Sequence, residues 1–280
     1  MTLLGTDQVI AGVNDLPALP AIVADLIDAI DRQDANLDFL AGKLARDQAL
    51  AAKVLRLANS SFYGLQRKVT TIHDAIMVLG FGSIRTLVTA AAVTGVFKGA
   101  DRSVFDFEAF WRHCIGVALA AKALAQRLDV NADSAFTAGL LHDIGRLVLA
   151  TRFPQHYQAA MSFRKASDCH VIEAENTVLG VNHAIVGHAL AQRWRFAPVI
   201  QDAIADHHAG GDTEAISLTD IIHIADAISH ALDLAGVEDD LVPPILEDAW
   251  SQLDLGEREW QQIMHEVEDQ FEEICQALTA

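Results

Sequence analysis

The sequence predicts an all-α fold, on three observations. Hydrophobic residues make up 51% of the chain but aromatics only 6%, so the apolar content is mostly Ala, Leu, Val and Ile, as in packed helices. Apolar positions recur at three- and four-residue spacing in segment after segment, with no two-residue alternation to compete. Short polar side chains stand just before several of these segments, where they satisfy the free amides of a first helical turn.

Taken in order, Leu19, Ile22, Val23, Leu26, Ile27 and Ile30 lie on one helical face after the turn-like Asn14-Asp15-Leu16-Pro17. Asn36 and Asp47 are placed to cap helices over 37–45 and 48–59. Asn59 to Gly64 breaks the pattern, Thr70-Thr71 opens a short helix over 72–79, and Gly80-Phe81-Gly82 closes it. The stretch 83–97 is apolar on several sides, which predicts a helix central to a first bundle.

At Lys98-Gly99-Ala100-Asp101-Arg102 the composition turns polar, which divides the chain into an N-terminal lobe, 1–102, and a C-terminal lobe, 103–280. The second lobe reads as helices near 107–127, 132–142, 144–151, 154–166, 169–179, 183–194, 197–208, 217–234 and 257–277. Loops are expected at Gly210-Gly211-Asp212 and over 236–244. In the acidic tail, Trp260, Met264, Val267 and Phe271 form a narrow stripe suited to docking on the body.

Thirty-eight acidic against twenty basic residues give a net charge of −18. That field repels phosphate backbones and anionic lipid, so direct nucleic-acid binding is not expected. Three widely spaced cysteines, Cys114, Cys169 and Cys275, contain no CxxC pair and fit a reducing cytoplasm. No signal-peptide pattern opens the chain and no uninterrupted run of about 20 apolar residues suggests a membrane span.

Chemistry concentrates in histidine and aspartate. His142-Asp143 lies in Ala138-Gly139-Leu140-Leu141-His142-Asp143-Ile144-Gly145-Arg146, at a junction of two helices. A neutral imidazole and a carboxylate there can face one cavity, where a divalent cation offsets the burial of charge. By itself the pair fits a hydrogen-bonded core histidine equally well. His113 and Asp226, both in apolar helical settings, raise the number of candidate ligands to four. His183 and the pair His207-His208 can serve a second ion. Mixed imidazole and carboxylate donors suit iron, manganese, zinc or nickel, one or two ions in all.

Arg146 is equally suited to contact a phosphate or to form a structural salt bridge. Asp206 is expected to face solvent, and His223 to pack rather than to orient a ligand. His73, His156, His170, His188, His230 and His265 are assigned to the surface.

The order His113, His142-Asp143, His183, His207-His208, Asp226 resembles the HD-domain superfamily of metal-dependent phosphohydrolases. More closely, Leu16-Pro17-Ala18-Leu19-Pro20, Val54 to Ser60, Ala75 to Gly80, Arg85, Phe136 to Asp143, Glu175 to Gly180 with His183, and Trp194 with Pro198 resemble the HDOD family of HD-related output domains, over about residues 10 to 235. The resemblance implies a bacterial, two-lobed helical signalling module with no generally established catalysis. It also implies a partner reached in trans, since no receiver-like domain accompanies it here. The related HD-GYP enzymes, which cleave cyclic di-GMP, carry a glycine-tyrosine-proline motif after the paired histidines. Here Ala209-Gly210-Gly211 follows and Arg146 replaces their usual lysine, so that activity is not implied. Three functions are therefore expected, in descending order: a regulatory output module, a metal-dependent phosphohydrolase of a nucleotide or phosphate ester, and a metal or redox sensor.

Overall fold

Small polar side chains begin the helices where the sequence suggests they should. In the computed structural model, which describes residues 4–14, 19, 21, 23–25, 36–97, 105–211, 215–238 and 240–279, Asn36 accepts from the Phe39 amide, Asp47 from Leu50 and Asn131 from Ser134. The helix expected over 19–30, the Leu16-Pro17 motif, the stretch 98–102 and Asp212 lie wholly or partly outside the described residues. Every regular element among those residues is helical.

In chain order the helices are α1 (Thr6–Asn14), α2 (Leu37–Leu44), α3 (Gln48–Ala58), α4 (Ile72–Val96), α5 (Phe107–Arg127), α6 (Ala132–Leu141) and α7 (Ile144–Arg152). There follow α8 (Pro154–Ser167), α9 (Val171–Leu179), α10 (His183–Arg193), α11 (Pro198–Asp206), α12 (Leu218–Ala231), α13 (Glu247–Ser251) and α14 (Glu257–Thr279). The short α13 has no counterpart among the expected helices.

The chain divides into two compact units: Met1–Leu16 with Gly99–His265, and Pro17–Lys98 with Glu266–Ala280. The internal crossing falls near the expected boundary at 102, while each end of the chain belongs to the opposite unit from the one its position suggested. Periodicity reports that a helix has an apolar face but not which core receives it.

In the smaller unit, α2 and α3 pack on α4. Gly80, at φ 80° and ψ 168°, breaks α4 where the sequence expected an end, an angle costly for any residue with a Cβ. Ile84, Leu87, Val88 and Val93 beyond the break are buried. Ile72–Thr94 is long and apolar enough to cross a membrane by composition alone, but over half of its most apolar stretch is buried within the protein. Val267, Phe271, Ile274 and Leu278 of α14 are buried too, so this tail docks by more of its length than Trp260 to Phe271.

In the larger unit, α5 is buried along most of its length between Phe110 and Ala125 and packs against both α6 and α12. Gly139 permits the approach of α6, since a Cβ there would stand 2.7 Å from Ala118 Cα. Gly145 and Gly187 do the same where α7 meets α10. Trp250 stacks on Trp260 at 4.9 Å. These close approaches bring together the helix ends that carry the histidines.

Candidate metal centre

Two helices end in histidine. His142 is the C-cap of α6 and His207 the C-cap of α11. Each ring turns back on its own last turn, Nδ1 lying 2.7 Å from Gly139 O and 2.9 Å from Ile204 O. The final carbonyls of a helix lack partners within it, so each Nδ1–H satisfies one of them and leaves Nε2 as the free lone pair. His183 begins α10 after the Asn182 cap, His113 comes from the middle of α5 and Asp226 from α12.

These side chains converge, and all but His208 are buried. Asp143 Oδ1 lies 3.1 Å from His183 Nε2 and 3.9 Å from both His142 and His207 Nε2. Asp226 Oδ1 lies 3.1 Å from His113 Nε2 and 3.7 Å from His142 Nε2. His183 Nε2 stands 2.9 Å from His208 and 3.4 Å from His207, while His113 and His142 stand 3.2 Å apart. The sequence-expected seven thus form one cluster with His142 and Asp143 in its middle.

Arg146 donates to Asp143 Oδ2 at 2.7 Å and to the Tyr157 hydroxyl at 3.3 Å, so the salt bridge anticipated for it exists. Its side chain also lines a cavity of about 210 Å³ together with His183, His208, Asp226, Leu241, Pro243 and Leu246. A second cavity, about 220 Å³, shares Arg146 and His230 with the first and is lined by Phe105, Phe110 and Tyr157.

Three positions differ from expectation. His230 is not a surface residue: its Nε2 lies 3.4 Å from Asp226 Oδ1 and its Nδ1 2.6 Å from Asp240 Oδ2. The four-residue step from Asp226 along α12 puts both on one face, a signal present in the sequence but passed over. His223 does more than pack, donating from Nδ1 to His207 O at 2.8 Å while Nε2 accepts from the Leu246 amide. Glu175, fully buried, receives both the amide and Nδ1 of His183 at 2.8 and 2.6 Å, which fixes that ring. Asp206 is exposed, as expected.

Electrostatics sort the rings into two kinds. Burial pushes His142 down to about 4, and burial with the neighbouring His142 and His183 takes His207 to about 3, so both are neutral near pH 7. Burial opposes a charge on His183 too, but Glu175 and Asp143 outweigh it and raise that ring. Burial opposes a charge on His230 as well, but the nearby Asp226 and Asp240 carboxylates overcome it and raise that ring to about 10. Burial likewise favours the protonated forms of Asp143 and Asp226, yet His183 and Arg146 around the first, and His113 and His230 around the second, hold both carboxyls well below their usual range.

One consequence is testable in ion-free protein. Between pH about 6.5, where an unfolded imidazole titrates, and about 4, unfolded chains take up protons that folded His142 and His207 refuse. His183 and His230, raised in the folded chain, work the other way as their unfolded rings take up protons between pH 7 and about 6, which reduces the fall without reversing it. Stability should therefore fall by a few kcal/mol from pH 7 to pH 5, read by urea unfolding in chelator; equal midpoints would contradict the neutral-ring assignment.

The donor set fits a divalent cation. Three groups, His183 with His207 and His208, His113 with Asp226 and His230, and His113 with His142 and Asp143, each keep their donor atoms within 4.8 Å of one another. Nitrogens 2.9–3.4 Å apart match two ligands on one small ion, which stand about 2.9–3.4 Å apart for metal–nitrogen bonds of about 2.0–2.1 Å. Asp226 Oδ1, buried, accepts no well-aligned hydrogen bond despite its close imidazoles, a cost that an ion would offset.

Comparison with known proteins identifies the family. The HDOD domain family matches residues 16–210. A crystal structure from Shewanella amazonensis, provisionally named a phosphohydrolase, is 32% identical with a TM-score of 0.78, covering 96% of this chain and 97% of that one. An HDOD domain protein of unknown function from Geobacter sulfurreducens is 26% identical with a TM-score of 0.76, covering 98% of each chain. Ribonuclease Y of Clostridium kluyveri is 35% identical over 121 residues, 43% of this chain and 18% of that protein. An uncharacterized protein of Treponema pallidum is 25% identical over 199 residues, 70% of this chain. The chain spans 38% of the length of the Treponema protein.

Proposed function

The chain belongs to the HDOD family, and from that premise we propose that it is a regulatory output module of signal transduction whose pocket holds one or two divalent metal ions. The observation that carries the metal is the convergence of the Nε2 atoms of His113, His142, His183, His207 and His208 with the buried Asp143 and Asp226 carboxylates, neighbouring donors standing 2.9–3.9 Å apart. His142, Asp143 and His113 would hold an ion together with Asp226, and His183, His207 and His208 would hold another. The ligand space beside them, about 210 Å³, is below the roughly 300 Å³ at which pockets for drug-sized ligands begin. It suits an ion with a small anion rather than a dinucleotide. The unit containing 17–98 supplies none of these side chains, and its helices are left to meet a signalling partner in trans, in the cytoplasm.

A second reading, a metal-dependent phosphohydrolase, is favoured by the Shewanella relative, which matches along nearly its whole length. A bound divalent ion would supply a water of lowered pKa and polarise a phosphoryl oxygen. This chain's own residues would do the rest: Arg146 can present paired donors to a phosphate at the cavity wall if it releases Asp143 Oδ2, and Leu241, Pro243 and Leu246 give that wall an apolar side. A polynucleotide substrate, suggested by the ribonuclease relatives, is opposed by the net charge of −18.

Elemental analysis of the purified protein, followed by a screen of nucleotides and phosphodiesters with added manganese or iron, separates the readings. Stoichiometric metal without turnover is the expected result. Turnover that rises with occupancy would establish the second reading, and a protein that takes up no divalent ion under any condition would end both.

A further inference from the structure

We propose that His230 is an additional metal ligand, completing the ion site on Asp226, and that Asp240 is the positioning residue for its ring. This rests on the metal-binding reading above. His230 stands outside the order of histidines and aspartates that carries the resemblance to HD domains.

The argument begins with a repeated arrangement. At one end of the cluster Glu175 takes Nδ1 of His183 at 2.6 Å, and Nε2 of that ring lies 3.1 Å from Asp143 Oδ1. At the other end Asp240 takes Nδ1 of His230 at 2.6 Å, and Nε2 of that ring lies 3.4 Å from Asp226 Oδ1. A carboxylate on the outer nitrogen of an imidazole fixes the ring and makes the inner nitrogen a better donor, the usual support for a metal-bound histidine. Asp240 is itself steadied by Arg164, whose Nη2 lies 3.7 Å from Oδ1.

His230 also completes a count. Without it, Asp226 has His113 and His142 for company, and His142 stands between the two aspartates. With it, His113, Asp226 and His230 are a compact donor group of their own, as His183, His207 and His208 are. The rings of His113 and His230 are 4.5 Å apart. Each ion then has three donors to itself, with His142 and Asp143 between them.

The test compares wild type with His230→Ala and Asp240→Asn in the full chain, each loaded with cobalt(II) as the probe. Metal per chain is measured after dialysis against graded chelator, and the visible cobalt absorption reports coordination. The expected result is that His230→Ala loses one ion of two, or binds a single ion at least about tenfold more weakly, with an altered spectrum. Asp240→Asn, which keeps the ring, should weaken the same ion about 10–100-fold. Should His230→Ala fail to fold by circular dichroism, Asp240→Asn carries the test alone. Unchanged stoichiometry, affinity and spectrum in the variants would overturn the proposal while leaving the metal centre intact. Wild type that takes up no cobalt would overturn the centre itself, and the proposal with it.

Discussion

The double substitution His142→Ala/Asp143→Ala is expected to yield a helical protein that binds divalent metal at least about 100-fold more weakly than wild type. Removing one supporting residue outside the ligand set already weakens binding about 10–100-fold, and this pair removes two central donors. His142 Nε2 lies 3.2 Å from His113 Nε2 and Asp143 Oδ1 3.1 Å from His183 Nε2, so the loss reaches both donor groups. Helical content should survive, because the pair occupies the junction between α6 and α7 and not the interior of either. Arg146, its side chain 21% exposed, can turn to water once its carboxylate partner is gone. Elemental analysis read beside far-ultraviolet circular dichroism checks this. Full metal retention in a folded double variant would show that His142 and Asp143 do not hold the ion.

Gly145→Ala is expected to destabilise the protein by roughly 3 kcal/mol or more, the range of severe overpacking. In an open helix the same change would stabilise by about 1 kcal/mol, so the sign alone is informative. A Cβ at position 145 would overlap the His183 carbonyl oxygen and stand 2.7 Å from the Gly187 amide nitrogen. Both are backbone atoms and cannot swing aside as a side chain would. Gly187 faces it, its own Cβ position 3.4 Å from the Gly145 nitrogen, so two glycines let α7 and α10 cross at backbone contact. That contact sets Asp143 against His183, and the variant should lose metal as well as stability. Urea unfolding measures the first effect, and a midpoint at or above that of wild type would sink the packing argument.

Much of this was legible beforehand because helices announce themselves locally. Asn36 and Asp47 cap where short polar side chains must, and Gly80 interrupts where a positive φ demands it. The donors His113, His142, Asp143, His183, His207, His208 and Asp226 stood out because imidazoles and carboxylates in apolar surroundings need a partner. Glu175 and Asp240 did not, since their part is to orient another ring and only three-dimensional proximity reveals it. His230 was assigned to the surface because nothing in the sequence marks Asp240, ten residues on, as the partner of its ring. The assignment of the chain ends to opposite units was out of reach for the same reason: an amphipathic stripe is silent about its destination.

The self-capping rings of His142 and His207 have a wider consequence. Because each imidazole is aimed by the carbonyl three residues earlier in its own helix, its aim does not depend on the shape of the surrounding core. Neighbouring apolar residues are then free to drift, growing or shrinking by a methylene, without turning the inner nitrogen away from the centre. Descendants of such a chain could exchange most of their interior and still keep the same pair of nitrogens trained on one point.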